Sequence, residues 1–179
     1  MFLRPEITAG ESKARFDSRM SEIQTLSQSY DIRLFEDRPW DDMRYMRRIS
    51  GKFSKGKLDI ALENESGGEQ YTLKMKIIPG ETPEQSLPDA QTIQMACLIF
   101  SVMSGGEFSP EFLEKKLSTP IEDARKQLSP FEPWLESGDI YSKDLPFGGH
   151  FANSVTFRIN QNAEGTYTSY IKFVSYYPE

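Results

Sequence analysis

The sequence holds one histidine and one cysteine, which are the first residues to test for catalytic chemistry. A thiol nucleophile needs an imidazole within hydrogen-bonding distance and a third group to orient the ring. Cys97 lies in an apolar run, where a thiol behaves as a small hydrophobic side chain. His150 follows two glycines in a predicted loop and is expected on the surface. One histidine and one cysteine cannot build a tetrahedral zinc site, so we predict no metal site and no cofactor.

An acidic cluster surrounds Trp40 and consists of Glu36, Asp37, Asp41 and Asp42. Paired carboxylates beside an aromatic ring could perform acid–base hydrolysis or bind a divalent cation. The spacing matches no calcium-binding loop, so a solvated turn is the favoured interpretation. A hydrolase that uses His150 with one of these acids remains an alternative function.

The stretch 44–57 carries six cations and no acid, in a chain whose net charge is −6: Arg44, Arg47, Arg48, Lys52, Lys55 and Lys57. Such a stretch could bind an anionic ligand or an acidic segment of a partner protein. It could equally be the wet face of an edge strand, where lysines discourage edge-to-edge pairing. In a strand, Arg44 and Arg48 point away from Arg47, so the charges cannot all share one face. A shallow contact is therefore favoured over a single deep anion site.

The last predicted strand is rich in tyrosine, with Tyr167 and Tyr170 as candidate binding residues. Tyrosine-rich strands can form a face that binds sugars or peptides. Strands are enriched in tyrosine in any case, so a purely structural role is the competing interpretation.

The elements that must position these residues follow from hydrophobic periodicity. Apolar residues at intervals of three and four predict a helix over 12–30. A nearly all-round apolar run predicts a buried helix over 88–104. Two proline-initiated helices are expected over 110–117 and 120–128.

Alternation with a period of two predicts a meander of three strands over about 43–78. A C-terminal hairpin is expected over 153–177, after a loop over 129–150 that is rich in proline and glycine and contains one candidate short strand at 140–141. The fold class is α+β: an antiparallel sheet with helices packed on one face, in the order α-βββ-ααα-ββ. We expect one globular domain over 1–179.

Composition limits the partners. A net charge of −6 and a pI of about 5.0 oppose non-specific binding to nucleic acid, so no nucleic-acid partner is predicted. The longest apolar run is far shorter than the ~20 residues of a membrane span. The N-terminus has no apolar signal segment. The compartment stays open: the cytoplasm by default, or an exported or periplasmic location if the sequence is a truncated fragment.

These observations favour a non-enzymatic binding or accessory module that recognises a protein or an anionic ligand. The hydrolase built on His150 is one alternative. In outline, an N-terminal helix, a meander, a helix and later strands with an acidic pI are similar to the small chaperones of bacterial type III secretion. That resemblance implies a third alternative, a small acidic chaperone-like dimer. The sequence assigns no oligomeric state.

Overall fold

The structure is a computed structural model, which describes residues 7–37, 44–65, 67–133, 137–147 and 150–177; for residues 36, 37, 44, 150–152 and 177 it describes only the backbone. The helices are α1 (Ala9–Ser29), α2 (Ala90–Met103) and α3 (Pro110–Gln127). The strands are β1 (Arg33–Asp37), β2 (Arg44–Phe53), β3 (Gly56–Glu65), β4 (Gly68–Ile77), β5 (Gly138–Phe147), β6 (His150–Gln161) and β7 (Tyr167–Tyr177).

The described strands form one antiparallel sheet in the order β1-β2-β3-β4-β7-β6-β5. Two meanders, β1 to β4 and β5 to β7, join where β4 pairs with β7. Because α2 and α3 lie between the meanders in sequence, this central pairing is non-local. The edges of the sheet are β1 and β5, so β2, β3, β4, β7 and β6 are paired on both sides.

The sheet has one face covered by helices and one open face. In β3, Leu58, Ile60 and Leu62 are at most 1% exposed, whereas the intervening Lys57 and Asp59 are exposed. A strand places successive side chains on opposite faces, so this alternation gives an apolar side and a polar side. The apolar side packs against α1, α2 and α3 in one hydrophobic cluster.

Local chemistry fixes where the helices begin. Thr8 caps α1 in a reciprocal capping box with Glu11. Asp89 caps α2, accepting a 2.8 Å hydrogen bond from the Thr92 amide. Ser109 caps α3, and Pro110 occupies the first turn, where its missing N–H costs nothing. Each cap satisfies backbone donors that the helix itself leaves unpaired.

The predicted fold class is confirmed, and three details differ. The two helices expected over 110–117 and 120–128 are one helix, α3, which continues through Pro120. Proline removes one helical hydrogen bond, but Pro120 is buried on the face that packs against the core. The predicted loop over 129–150 contains β5, an edge strand in which Pro146 is tolerated. Strand β1 (Arg33–Asp37) adds a strand before the predicted meander, at one edge of the sheet.

Candidate functional site

The basic stretch 44–57 is divided between several environments. Arg47 lies on the helix-covered face, where its Nη1 donates to Asp17 Oδ1 at 3.1 Å. Tyr45 donates to the same carboxylate oxygen. Arg48 points to the open face and donates twice to Glu63 Oε1, with Nε at 3.2 Å. Both arginines are therefore already engaged inside the protein.

Two other members of the stretch also lie outside any common cluster. Lys55 occupies the turn between β2 and β3, and its Nζ lies 2.8 Å from Asp89 Oδ2. That contact, together with the capping bond from the Thr92 amide, lowers the pKa of Asp89 to about 2. Arg44 begins β2, and its side chain lies outside the described part of the structure.

Lys52 and Lys57 form the centre of a different cluster. Lys52 pairs with Lys57 across β2 and β3, and Lys57 pairs with Lys76 across β3 and β4. All three side chains are exposed on the open face. Directly opposed side chains have Cβ atoms about 5 Å apart. Among the described residues, no carboxylate forms an ion pair with any of the three.

The row continues across the centre of the sheet. Tyr170 of β7 is opposite Lys76, and Arg158 of β6 is opposite Tyr170. The Arg158 guanidinium lies 4.6 Å from the centre of the Tyr170 ring, and Lys76 Nζ lies 5.9 Å from it. Arg158 Nε also lies 3.5 Å from Asp139. We call these five aligned residues, on five neighbouring strands, the cationic row: Lys52, Lys57, Lys76, Tyr170 and Arg158.

The other predicted site residues do not join the cationic row. Tyr167 is only 2% exposed and packs edge-on against Phe131, with 5.3 Å between ring centres, so it belongs to the core. His150 begins β6, opposite Phe147, but its side chain lies outside the described residues. The acidic cluster over 36–42 likewise falls where no side chains are described. The hydrolase hypothesis that rests on them stays a prediction.

The residues that sequence reasoning missed are Lys76 and Arg158. Both occupy polar positions of alternating strands, which was visible in the sequence. Lys76 is opposite Lys57 in the β3–β4 hairpin, and Arg158 is opposite Tyr170 in the β6–β7 hairpin. Only the β4–β7 register, which tertiary packing sets, brings these two pairs together. The edge-strand explanation of the lysines does not apply to Lys52, because β1 covers that side of β2.

The helix-covered face carries a second polar cluster with a structural role. Glu69 is 3% exposed and accepts hydrogen bonds from Ser12, Arg15 and Tyr71. Burial opposes ionisation of Glu69, but these three donors outweigh it and lower the pKa of the carboxyl group. The same burial and the bond to Glu69 raise the pKa of Tyr71 to about 12. This closed network holds α1 against β4.

Comparison with known proteins gives no relative for this chain: no family model, no curated protein and no solved structure matches it. In the part of the chain that the structure describes, no helix is long and apolar enough to cross a membrane. The function therefore has to be argued from the open face itself.

Proposed function

We propose that this protein is a non-enzymatic binding module, and that it captures an acidic segment of a partner protein on the cationic row. The observation that carries the proposal is the direct opposition of Lys52, Lys57 and Lys76 on three interior strands without acidic partners among the described residues. Like charges directly opposite one another destabilise a sheet. An anion bound over the row offsets that repulsion, because it attracts all three ammonium groups.

The dimensions of the row suit an extended chain. Neighbouring strands are about 4.8 Å apart, so the row, which crosses β2, β3, β4, β7 and β6 in that order, is about 19 Å long. An extended peptide repeats its side chains on one face every ~7 Å, so about three acidic side chains fit along the row. The Tyr170 ring, which lies between Lys76 and Arg158, offers an aromatic surface among the charges. The surface is shallow, so its charges act chiefly on association rate and specificity.

The overall charge of the chain favours a protein segment over nucleic acid. The net charge of the whole chain is −6, so the surface outside the cationic row repels a long polyanion, and this repulsion grows with the length of duplex that approaches. A short acidic segment meets only the local positive field. Its binding weakens with salt, because the contacts are exposed.

A labelled peptide tests this proposal. Fluorescence anisotropy of a short fluorescein-tagged glutamate-rich peptide is measured at low salt with the wild type and with the triple variant Lys52→Glu, Lys57→Glu, Lys76→Glu. The control variant reverses three lysines of α3, Lys115, Lys116 and Lys126, and so makes the same change in net charge. We expect the first variant to bind at least about tenfold more weakly, because each exposed charge contact contributes roughly 0.2–1 kcal/mol.

Two results would contradict the proposal. Equal losses in the two triple variants would mean that only net charge matters. A single-stranded oligonucleotide that binds the wild type more tightly than the peptide does would assign the cationic row to nucleic acid instead.

A further inference from the structure

A polar hollow of about 380 Å³ lies on the open face beside the cationic row. Its floor consists of small side chains on neighbouring strands, Ser50, Ala61 and Thr72. Longer side chains surround the floor, among them Lys74 and Lys172. The depression therefore arises from residue size, since short side chains occupy the middle of the sheet and long ones surround them.

One wall of the hollow is suited to an anion. Lys74 and Lys172 are directly opposite each other on β4 and β7, and both are exposed. No carboxylate among the described residues forms an ion pair with either. Thr72 is 8% exposed, and its Oγ1 accepts a hydrogen bond from Gln70 at 3.3 Å. The Thr72 hydroxyl proton is then available to a ligand beside the two ammonium groups.

Acceptors lie next to this wall on β3: Asp59 is directly opposite Lys74 across the β3–β4 pair, and Glu63 lies four residues further along β3. Asp59 Oδ1 accepts a 2.6 Å bond from Ser50, and Glu63 Oε1 accepts both bonds from Arg48. The second oxygen of each carboxylate has no hydrogen-bond partner among the described residues. Ionised carboxylates can accept several hydrogen bonds, so these two oxygens can accept from the hydroxyl groups of a ligand.

From these two sets of neighbouring groups we infer that the hollow binds a small polyhydroxylated anion of the sugar-phosphate class. The anionic group lies between Lys74 and Lys172, and the hydroxyl groups donate to Asp59 and Glu63. Arg48 neutralises Glu63, so the two lysines outweigh Asp59 and the site favours a negative ligand. The volume falls at the small end of the range of about 300–1,000 Å³ that is usual for ligand sites.

Titration of the labelled protein by two-dimensional amide NMR tests the inference. The probe is glucose 6-phosphate, and the comparison ligands are glucose and inorganic phosphate. We expect glucose 6-phosphate to shift the amides of Thr72, Lys74 and Lys172 with a Kd on the order of 1 mM. Glucose and phosphate should each bind more weakly, because glucose lacks the anionic group and phosphate lacks the sugar hydroxyl groups.

Variants separate this site from the cationic row. The double variant Lys74→Gln, Lys172→Gln should bind glucose 6-phosphate about tenfold more weakly, since both ammonium contacts are lost. Lys76→Gln is the matched control: Lys76 lies on the same strand and the same face as Lys74, but outside the hollow. It should weaken acidic-peptide binding and leave sugar-phosphate binding unchanged.

Three results would overturn the inference. The first is that glucose 6-phosphate shifts none of the hollow amides in folded protein, and the second is that inorganic phosphate binds as tightly as glucose 6-phosphate. The third is that Lys76→Gln loses as much affinity for glucose 6-phosphate as the double variant does. None of them affects the peptide proposal, which is tested with a different ligand and different lysines. Failure of peptide binding with normal sugar-phosphate binding would likewise reject only the first proposal.

Discussion

Replacement of Lys57 by glutamate should stabilise the fold while it weakens peptide binding. Lys57 is opposite Lys52 on one side and Lys76 on the other, so one substitution changes two repulsive pairs into attractive ones. Cross-strand charge pairs contribute roughly 0.2–1 kcal/mol, and exposed pairs lie towards the lower end. Two such conversions give an expected gain in unfolding free energy of about 1 kcal/mol.

Urea denaturation at low salt measures this gain. With a typical dependence of about 2 kcal/mol per molar urea, the midpoint should rise by about 0.5 M. In about 1 M salt, where the Debye length falls to ~3 Å, the gain should largely disappear. Lys115→Glu on α3 is the control: it makes the same charge change but has no lysine directly opposite, so it should show no stabilisation.

A variant Lys57→Glu that is no more stable than the wild type at low salt would refute this reasoning. It would mean that the three lysine charges keep apart without lowering the unfolding free energy, so that their alignment does not destabilise the sheet. If the gain is found together with loss of peptide binding, stability and binding oppose each other at one residue. That opposition is characteristic of positions where function is maintained at the expense of stability.

Three further outcomes are expected. Glu69→Gln should lower the unfolding free energy at pH 7 by about 2 kcal/mol, because a buried charged acceptor is lost beside Arg15. The pKa of Glu69 is lowered in the folded state. The stability that its carboxylate contributes is therefore fully present above the usual pKa of 4.5 and is lost as the pH falls through the folded-state pKa. The variant lacks this titration, so its unfolding free energy should depend less on pH in acid. Gly56→Ala should destabilise by more than about 2 kcal/mol in urea melts, because a Cβ atom would lie 1.9 Å from the Lys76 carbonyl oxygen. Cys97 is fully buried, which raises the pKa of its thiol to about 12, so it should resist thiol reagents in the native protein and react once urea unfolds it.

Most of the fold was predictable because its strands alternate cleanly. Leu58, Ile60 and Leu62 identify β3 with no other information, since their spacing has only one structural interpretation. The sequence predicted only a short strand at 140–141 and not the full length of β5, because Gly138 and Pro146 lie near its ends and edge strands tolerate residues that central strands exclude. The helix break expected at Pro120 was wrong for a related reason. The low helix propensity of proline was outweighed by burial of Pro120 in the core, and burial depends on the tertiary fold and not on the neighbouring sequence.

The candidate site was only partly predictable, for a different reason. Lys52 and Lys57 belong to one hairpin, so a local argument could bring them together. Lys76 and Tyr170 are neighbours only because β4 pairs with β7, and two helices and two strands lie between them in sequence. No periodicity fixes the register of such a pairing, because it depends on how both meanders pack against the same helices.

The contrast between the two faces of the sheet indicates where ligands should be sought. On the helix-covered face, the buried acid Glu69 already has three donors and Asp17 is held by Tyr45 and Arg47. These groups have little capacity left for a ligand, and their loss would chiefly destabilise the packing of α1. On the open face, the lysines of the row and of the hollow form no ion pair with a carboxylate among the described residues. Asp59 lies directly opposite Lys74, and the ammonium groups of Lys52 and Lys76 lie over the rings of Phe35 and Tyr170. An anion that binds there breaks no ion pair of these lysines and competes only with aromatic contacts and with the opposed carboxylate of Asp59.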